Sequence, residues 1–191
     1  METSWNQEFY REIEPIAMID PLASALGALA DDSPIYYSYI DCVKLAGHAC
    51  PSVSAAFQMT KLALKELFQE QVPVRGEIEV IYLGERTEGA NGPIGQVIQY
   101  LTGAAIETGF HGLGGAYQRA NLFQFQPGSE QMSGINVIFS RSDSGLAVQL
   151  SANLSLVPTS SQEREYAQLM PKVIQNMATI EERERFYLFW Q

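Results

Sequence analysis

Residues 51–72, PSVSAAFQMTKLALKELFQEQV, decide how the rest of the chain is read. Val53, Ala56, Phe57, Thr60, Ala63, Leu64 and Leu67 recur three and four positions apart, so an α-helix gathers them on one face. Lys61, Lys65 and Glu70 fall mostly on the other side. Pro51 suits the first turn, where its missing N–H breaks no internal bond. The helix should end before Pro73, and residues 77–82 then alternate imperfectly, as a half-buried strand does.

Working outward, residues 17–30 (AMIDPLASALGALA) predict a short helix, with Asp20 placed to cap it and Pro21 in its first turn. DDSP breaks that helix, and IYYSYI reads as a strand ending near Asp41. On the other side, GERTEGANGPIG predicts a loop. Ile94, Val97, Ile98 and Leu101 then share the inward face of a second helix that stops near Gly103. A second glycine-rich loop carries Glu107, Gly109, His111 and the glycines at 112, 114 and 115. ANLFQF, INVIF and LAVQLSANLSLV read as sheet segments, with turns at Pro127-Gly128 and Ser144-Gly145. After Pro158, TSSQEREYAQLM starts a capped helix and ATIEERERFYLFW another, the latter suited to a partner-binding tail.

These elements give an α+β fold, a mostly antiparallel or mixed sheet packed against helices. Residues 1–191 read as one domain with an N-terminal helical extension and a C-terminal one from about residue 159 to 191. The chain has 12 Lys and Arg against 22 Asp and Glu, a net charge of −10, so no basic surplus exists to neutralise a nucleic-acid backbone. No apolar run approaches the roughly 18 residues of a membrane span. The N-terminus lacks a basic region followed by a small-residue cleavage site, and two cysteines cannot form a disulfide framework, so a cytoplasmic protein is expected.

The densest chemistry is GHACP, where His48 and Cys50 precede the residue 51 helix. An imidazole and a thiolate at this spacing suit zinc, and a thiolate at a helix N-terminus gains from the unpaired N–H groups there. An inert buried turn, or a redox or nucleophilic Cys50, are the competing readings. His111 is the other histidine. If the fold brings it to residues 48 and 50, two imidazoles and one thiolate surround a metal with a position left open for water or a small ligand. Cys42 reads as core. Glu85, Glu88 and Glu107 read as solvated carboxylates, or else as an oxygen ligand or proton acceptor. GLGG at residues 112–115 lacks the strand and helix context of a dinucleotide fingerprint, and no phosphate loop ending in Lys then Ser or Thr is present.

GHACP followed by an apolar helix, together with IQYLTG at residues 98–103, resembles the FmdE/FwdE-like family of formylmethanofuran dehydrogenase components, FwdE/GAPDH-domain-like in fold. The resemblance rests on Gly47, His48, Cys50 and Pro51 in the first segment, and on Ile98, Gln99, Thr102 and Gly103 in the second. It implies an α+β domain, commonly a homodimer, whose His and Cys loop contributes to a zinc site. It also implies a link to molybdenum- or tungsten-enzyme subunits in one-carbon metabolism. The chain departs from the family at Ala46, which replaces a histidine, and at Ser52, which replaces a glycine. Cysteines expected near Pro93 and at Ala104, and an acidic residue near Gln96, are also replaced. A C-terminal four-cysteine module is absent. His111 is the residue placed to compensate for a lost thiolate. The alternatives to this metal-binding reading are a catalytically inactive scaffold or partner-binding protein, and a Cys50 thiol-redox protein.

Overall fold

The computed structural model describes residues 3–127 and 133–190. By compactness the chain divides into two units, residues 8–154 and a second formed by residues 1–7 with 155–191.

The larger unit is α+β. A 3-10 turn, Glu8–Arg11, precedes β1 (Ile16–Met18), α1 (Pro21–Ala25), β2 (Ile35–Tyr37), α2 (Tyr39–Ala46) and α3 (Pro51–Phe68). Then come β3 (Ile78–Tyr82), α4 (Asn91–Thr102), β4 (Phe123–Phe125), β5 (Ile135–Arg141) and β6 (Ala147–Ala152). β1 and β2 form an antiparallel pair. The main sheet has the order β4-β3-β5-β6; β3 and β4 run parallel, joined by the α4 crossover, and the other pairings are antiparallel.

α3 supplies the core. All seven residues of its apolar face are buried, with Met59 and Phe68 beside them, and the helix packs on α4 and on the β5–β6 side of the sheet. β3 offers Ile78, Val80 and Tyr82 to the same interior, each almost fully buried and paired in register with β5 residues including Phe139 and Val137. α4 approaches the sheet at Gly95, where a Cβ would press on the ring edges of Phe123 and Phe125. Its first turn is tied to β3 by the Tyr82 hydroxyl, which donates to Asn91 Oδ1 at 2.7 Å.

Three differences from the sequence reading have local causes. The strand expected through Asp41 stops at Tyr37, because Ser38 opens a capping box with Asp41 and α2 begins at Tyr39. Asp20 does cap α1, its carboxylate accepting from Leu22 N and Ala23 N, but residues 17 and 18 of that segment belong, with Ile16, to a strand paired with β2. α4 starts inside the stretch expected to be a loop, since Pro93 sits in its first turn and Gly95 at its sheet contact. The turn expected at Pro127-Gly128 falls partly on residues 128–132, outside the described residues.

The smaller unit holds α5 (Ser161–Ala167), α6 (Met170–Ile174) and α7 (Ile180–Trp190). Ser160 and Glu163 form the capping box of α5. Phe186 is buried, stacked on Trp190 at 5.4 Å, and Gln7 Nε2 donates to the Tyr187 carbonyl.

Segments 20, 75 and 119 of the larger unit are joined by an ion cluster. Asp20 Oδ2 accepts from Arg75 Nη1 and Asp20 Oδ1 from Arg119 Nη2, both at 2.8 Å, and the carboxylate is 7% exposed. Burial pushes the Asp20 carboxyl up, but Arg119, the Ala23 N–H and Arg75 together hold it below its ordinary value. A depressed folded-state value means that this stabilisation is complete above the unfolded pKa and is lost as pH falls through the folded one. Asp20→Asn should therefore cost on the order of 3 kcal/mol at pH 7, by leaving the buried Arg119 and the half-buried Arg75 without their carboxylate. In urea unfolding, the gap between wild type and variant should close as pH is lowered below about 4. A gap independent of pH would show that the charge of Asp20 contributes nothing.

Candidate functional site

α2 ends at Gly47, which adopts the left-handed conformation (φ 76°), and α3 has its N-cap at Cys50. His48 is therefore confined to a short connection between two helix ends, where it is exposed. Its Nδ1 lies 3.0 Å from the Ala46 carbonyl oxygen. A carbonyl only accepts, so Nδ1 carries the proton and, in the neutral ring, Nε2 keeps its lone pair for another partner. Metal-bound histidines are commonly held this way.

Cys50 is half-buried, with extended backbone, and its side chain makes no cap to α3. Its carbonyl accepts from Ser54 N, and the Ser54 hydroxyl lies 2.7 Å from that of Tyr39, a buried residue of α2. This corner fixes the first turn of α3 and, with it, the thiol. Cys42, on the inner side of α2, is fully buried, and burial first, then Asp41, pushes its thiol up to about 12. Both cysteines are free thiols.

His111 is exposed in the loop between α4 and β4. Two segments of this loop are zipped together: Arg119 N and Ala120 N both donate to the Phe110 carbonyl, and Leu113 and Ala116 exchange a pair of bonds. Gly112 has φ +91°, and a Cβ there would collide with the Ala116 carbonyl oxygen, so this turn demands glycine.

The IQYLTG residues close the same loop. Gln99 Oε1 accepts from Ile106 N, Thr102 Oγ1 accepts from Ala104 N, and Gly103 is the left-handed cap of α4. Glu85 and Glu88 are exposed, and Glu107 is an exposed partner of Arg86 at 3.8 Å. Among the described residues, no group of three or more His, Cys, Asp and Glu side chains is placed to hold a metal ion within the single chain. His48 and Cys50 are thus two donors close in sequence, without a third beside them among the described residues. No helix among the described residues is long and apolar enough to cross a membrane.

The Asp20, Arg75 and Arg119 cluster leaves no joint signal in the sequence. Its members are 55 and 99 residues apart along the chain, and only the helix-capping role of Asp20 can be read locally.

No family model, curated protein or solved structure matches this chain.

The two thiols should differ sharply in reactivity. A disulfide exchange reagent should titrate one thiol in the native protein and two in guanidinium chloride, and Cys50→Ser should remove the native one. Equal native labelling of Cys42 would contradict its burial.

Proposed function

We propose that this chain is a zinc-binding protein of the FmdE/FwdE-like kind, which binds a small ligand or supports a one-carbon or redox enzyme assembly. The observation that supports it is the bond from His48 Nδ1 to the Ala46 carbonyl, which leaves Nε2 available two residues from the half-buried thiol of Cys50. An imidazole and a thiolate beside a helix N-terminus suit zinc by donor type.

Among the described residues of one chain no third donor joins these two, so the described residues of a single chain do not complete a shell. The proposal places the third donor, His111, on a second copy in a homodimer. His111 sits on an exposed and internally zipped loop, able to present its ring outward as a rigid unit. Bound zinc would supply Lewis acidity, and no catalytic step is assigned to any residue.

Purified without added metal, the protein should retain close to one zinc per chain by elemental analysis, and His48→Ala, Cys50→Ser and His111→Ala should each lose it. Co-refolding the His48→Ala and His111→Ala chains should restore about a quarter of the sites, because only mixed dimers hold one intact set. Wild-type protein without stoichiometric transition metal would overturn the reading. Failure of the mixture to recover zinc would place the third donor elsewhere.

A second reading, a partner-binding protein without metal chemistry, is favoured by the smaller unit. There Ile174, Met177 and Ile180 are 71%, 65% and 81% exposed within seven residues of sequence. On that reading, deleting residues 180–191 should abolish association while metal removal leaves it unchanged. Association that survives the deletion would exclude this surface.

A further inference from the structure

The charges of the Asp20 cluster do not balance. Two guanidinium groups face one carboxylate, and Asp20 is already fully engaged, accepting from Leu22 N, Ala23 N, Arg75 and Arg119. It has little capacity left for further donors. Arg75 gives its remaining terminal nitrogen to the Tyr100 carbonyl and stacks over the Tyr37 ring at 5.0 Å. Arg75 Nε and Arg119 Nη1 are buried and have no hydrogen-bond partner. The Arg119 side chain is only 9% exposed, so it carries an N–H without a partner and half of an excess positive charge in a poorly hydrated place.

Both arginines line an open cavity of about 410 Å³. Gly76 lines it too, and a Cβ on Gly76 would collide with Arg119 Nη1, so the glycine makes room for this guanidinium. The rest of the wall includes Pro21, Val74, Leu122 and Tyr117, which are apolar over most of their surface, and Glu77. A volume of this order suits a small organic molecule.

From this geometry we infer that the cavity binds a small organic anion, its carboxylate or phosphate head on Arg119 and Arg75 and its apolar body against Val74, Leu122 and Tyr117. Water in the cavity would leave the excess charge uncompensated, whereas an oxyanion on the guanidinium surface that lines the cavity offsets it by a charge-assisted contact; Arg75 Nε and Arg119 Nη1 themselves stay shielded from solvent. Glu77 weakens the attraction for an anion. The site involves none of His48, Cys50 and His111, so it stands or falls independently of zinc.

Calorimetric titration of chelator-treated full-length protein tests this with inorganic phosphate, acetate, butyrate and neutral butyramide. Butyrate should bind saturably and butyramide should not; phosphate binding more tightly than butyrate would identify a phosphate head instead. Arg119→Gln should weaken binding about tenfold or more, since a charge-assisted bond is lost. Glu77→Gln, at the cavity wall, should strengthen it about threefold by removing a like charge. The second variant keeps the test decisive if the first does not fold. No saturable binding of any anion at tens of millimolar, equal binding of butyrate and butyramide, or an affinity unchanged in Glu77→Gln would each overturn the inference.

Discussion

The burial of one face of α3 is the constraint on which the larger unit depends. Fully burying an aliphatic or aromatic side chain contributes roughly 1.5–3 kcal/mol. α3 buries Val53, Phe57, Leu64, Leu67 and Phe68 along its length, against both α4 and the sheet. That packing leaves the helix little freedom to rotate or slide, so its first turn is held in place from below. Tyr39 and Ser54 hold the same turn from the side. With α2 ended at Gly47, the chain has three residues in which to enter α3. The neighbouring positions of His48 and Cys50 are consequences of core packing rather than of any contact between the two.

What the sequence disclosed follows from which interactions are local. The α3 face and the β3 alternation were legible because each pattern repeats within one element and meets one interior. α2 was hidden by its composition: IYYSYI is aromatic and β-branched. Yet Tyr39, Cys42 and Val43 recur at helical spacing and Ser38 with Asp41 supplies the cap. Glycine misled in α4. Gly92 and Gly95 read as loop formers, whereas Gly95 serves a close helix–sheet approach against Phe123 and Phe125. His48 and Cys50 were visible because they are two residues apart. Whether His111 could reach them was not, because that depends on the path of the loop after α4.

The IQYLTG segment has a structural explanation of its own. Gln99 bonds the backbone at Ile106, Thr102 bonds it at Ala104, and Gly103 turns the chain out of α4. Each is needed to close the loop that carries His111, whether or not a ligand binds there. Ile98 is fully buried. The IQYLTG residues are therefore accounted for by the geometry of this loop, and the proposed metal chemistry rests on GHACP.

The electrostatics of the chain operate on two length scales. A net charge of −10 disfavours the approach of any anion from a distance. At physiological ionic strength, however, exposed charges are largely screened beyond about 8 Å, whereas buried pairs are screened much less. The cavity beside Arg119 is governed by the nearer scale, where two guanidiniums oppose one saturated carboxylate and the unpaired nitrogens are shielded from solvent. Remote acidic residues thus act mainly to slow the encounter, while the excess positive charge of the Asp20, Arg75 and Arg119 cluster, reduced by Glu77 at the cavity wall, sets how long an anion stays. An acidic protein can in this way hold a small anion without any basic surface, provided the arginines stay fixed. Here Asp20 fixes them: it holds both guanidiniums at 2.8 Å while its own remaining capacity is taken up by the N-terminus of α1.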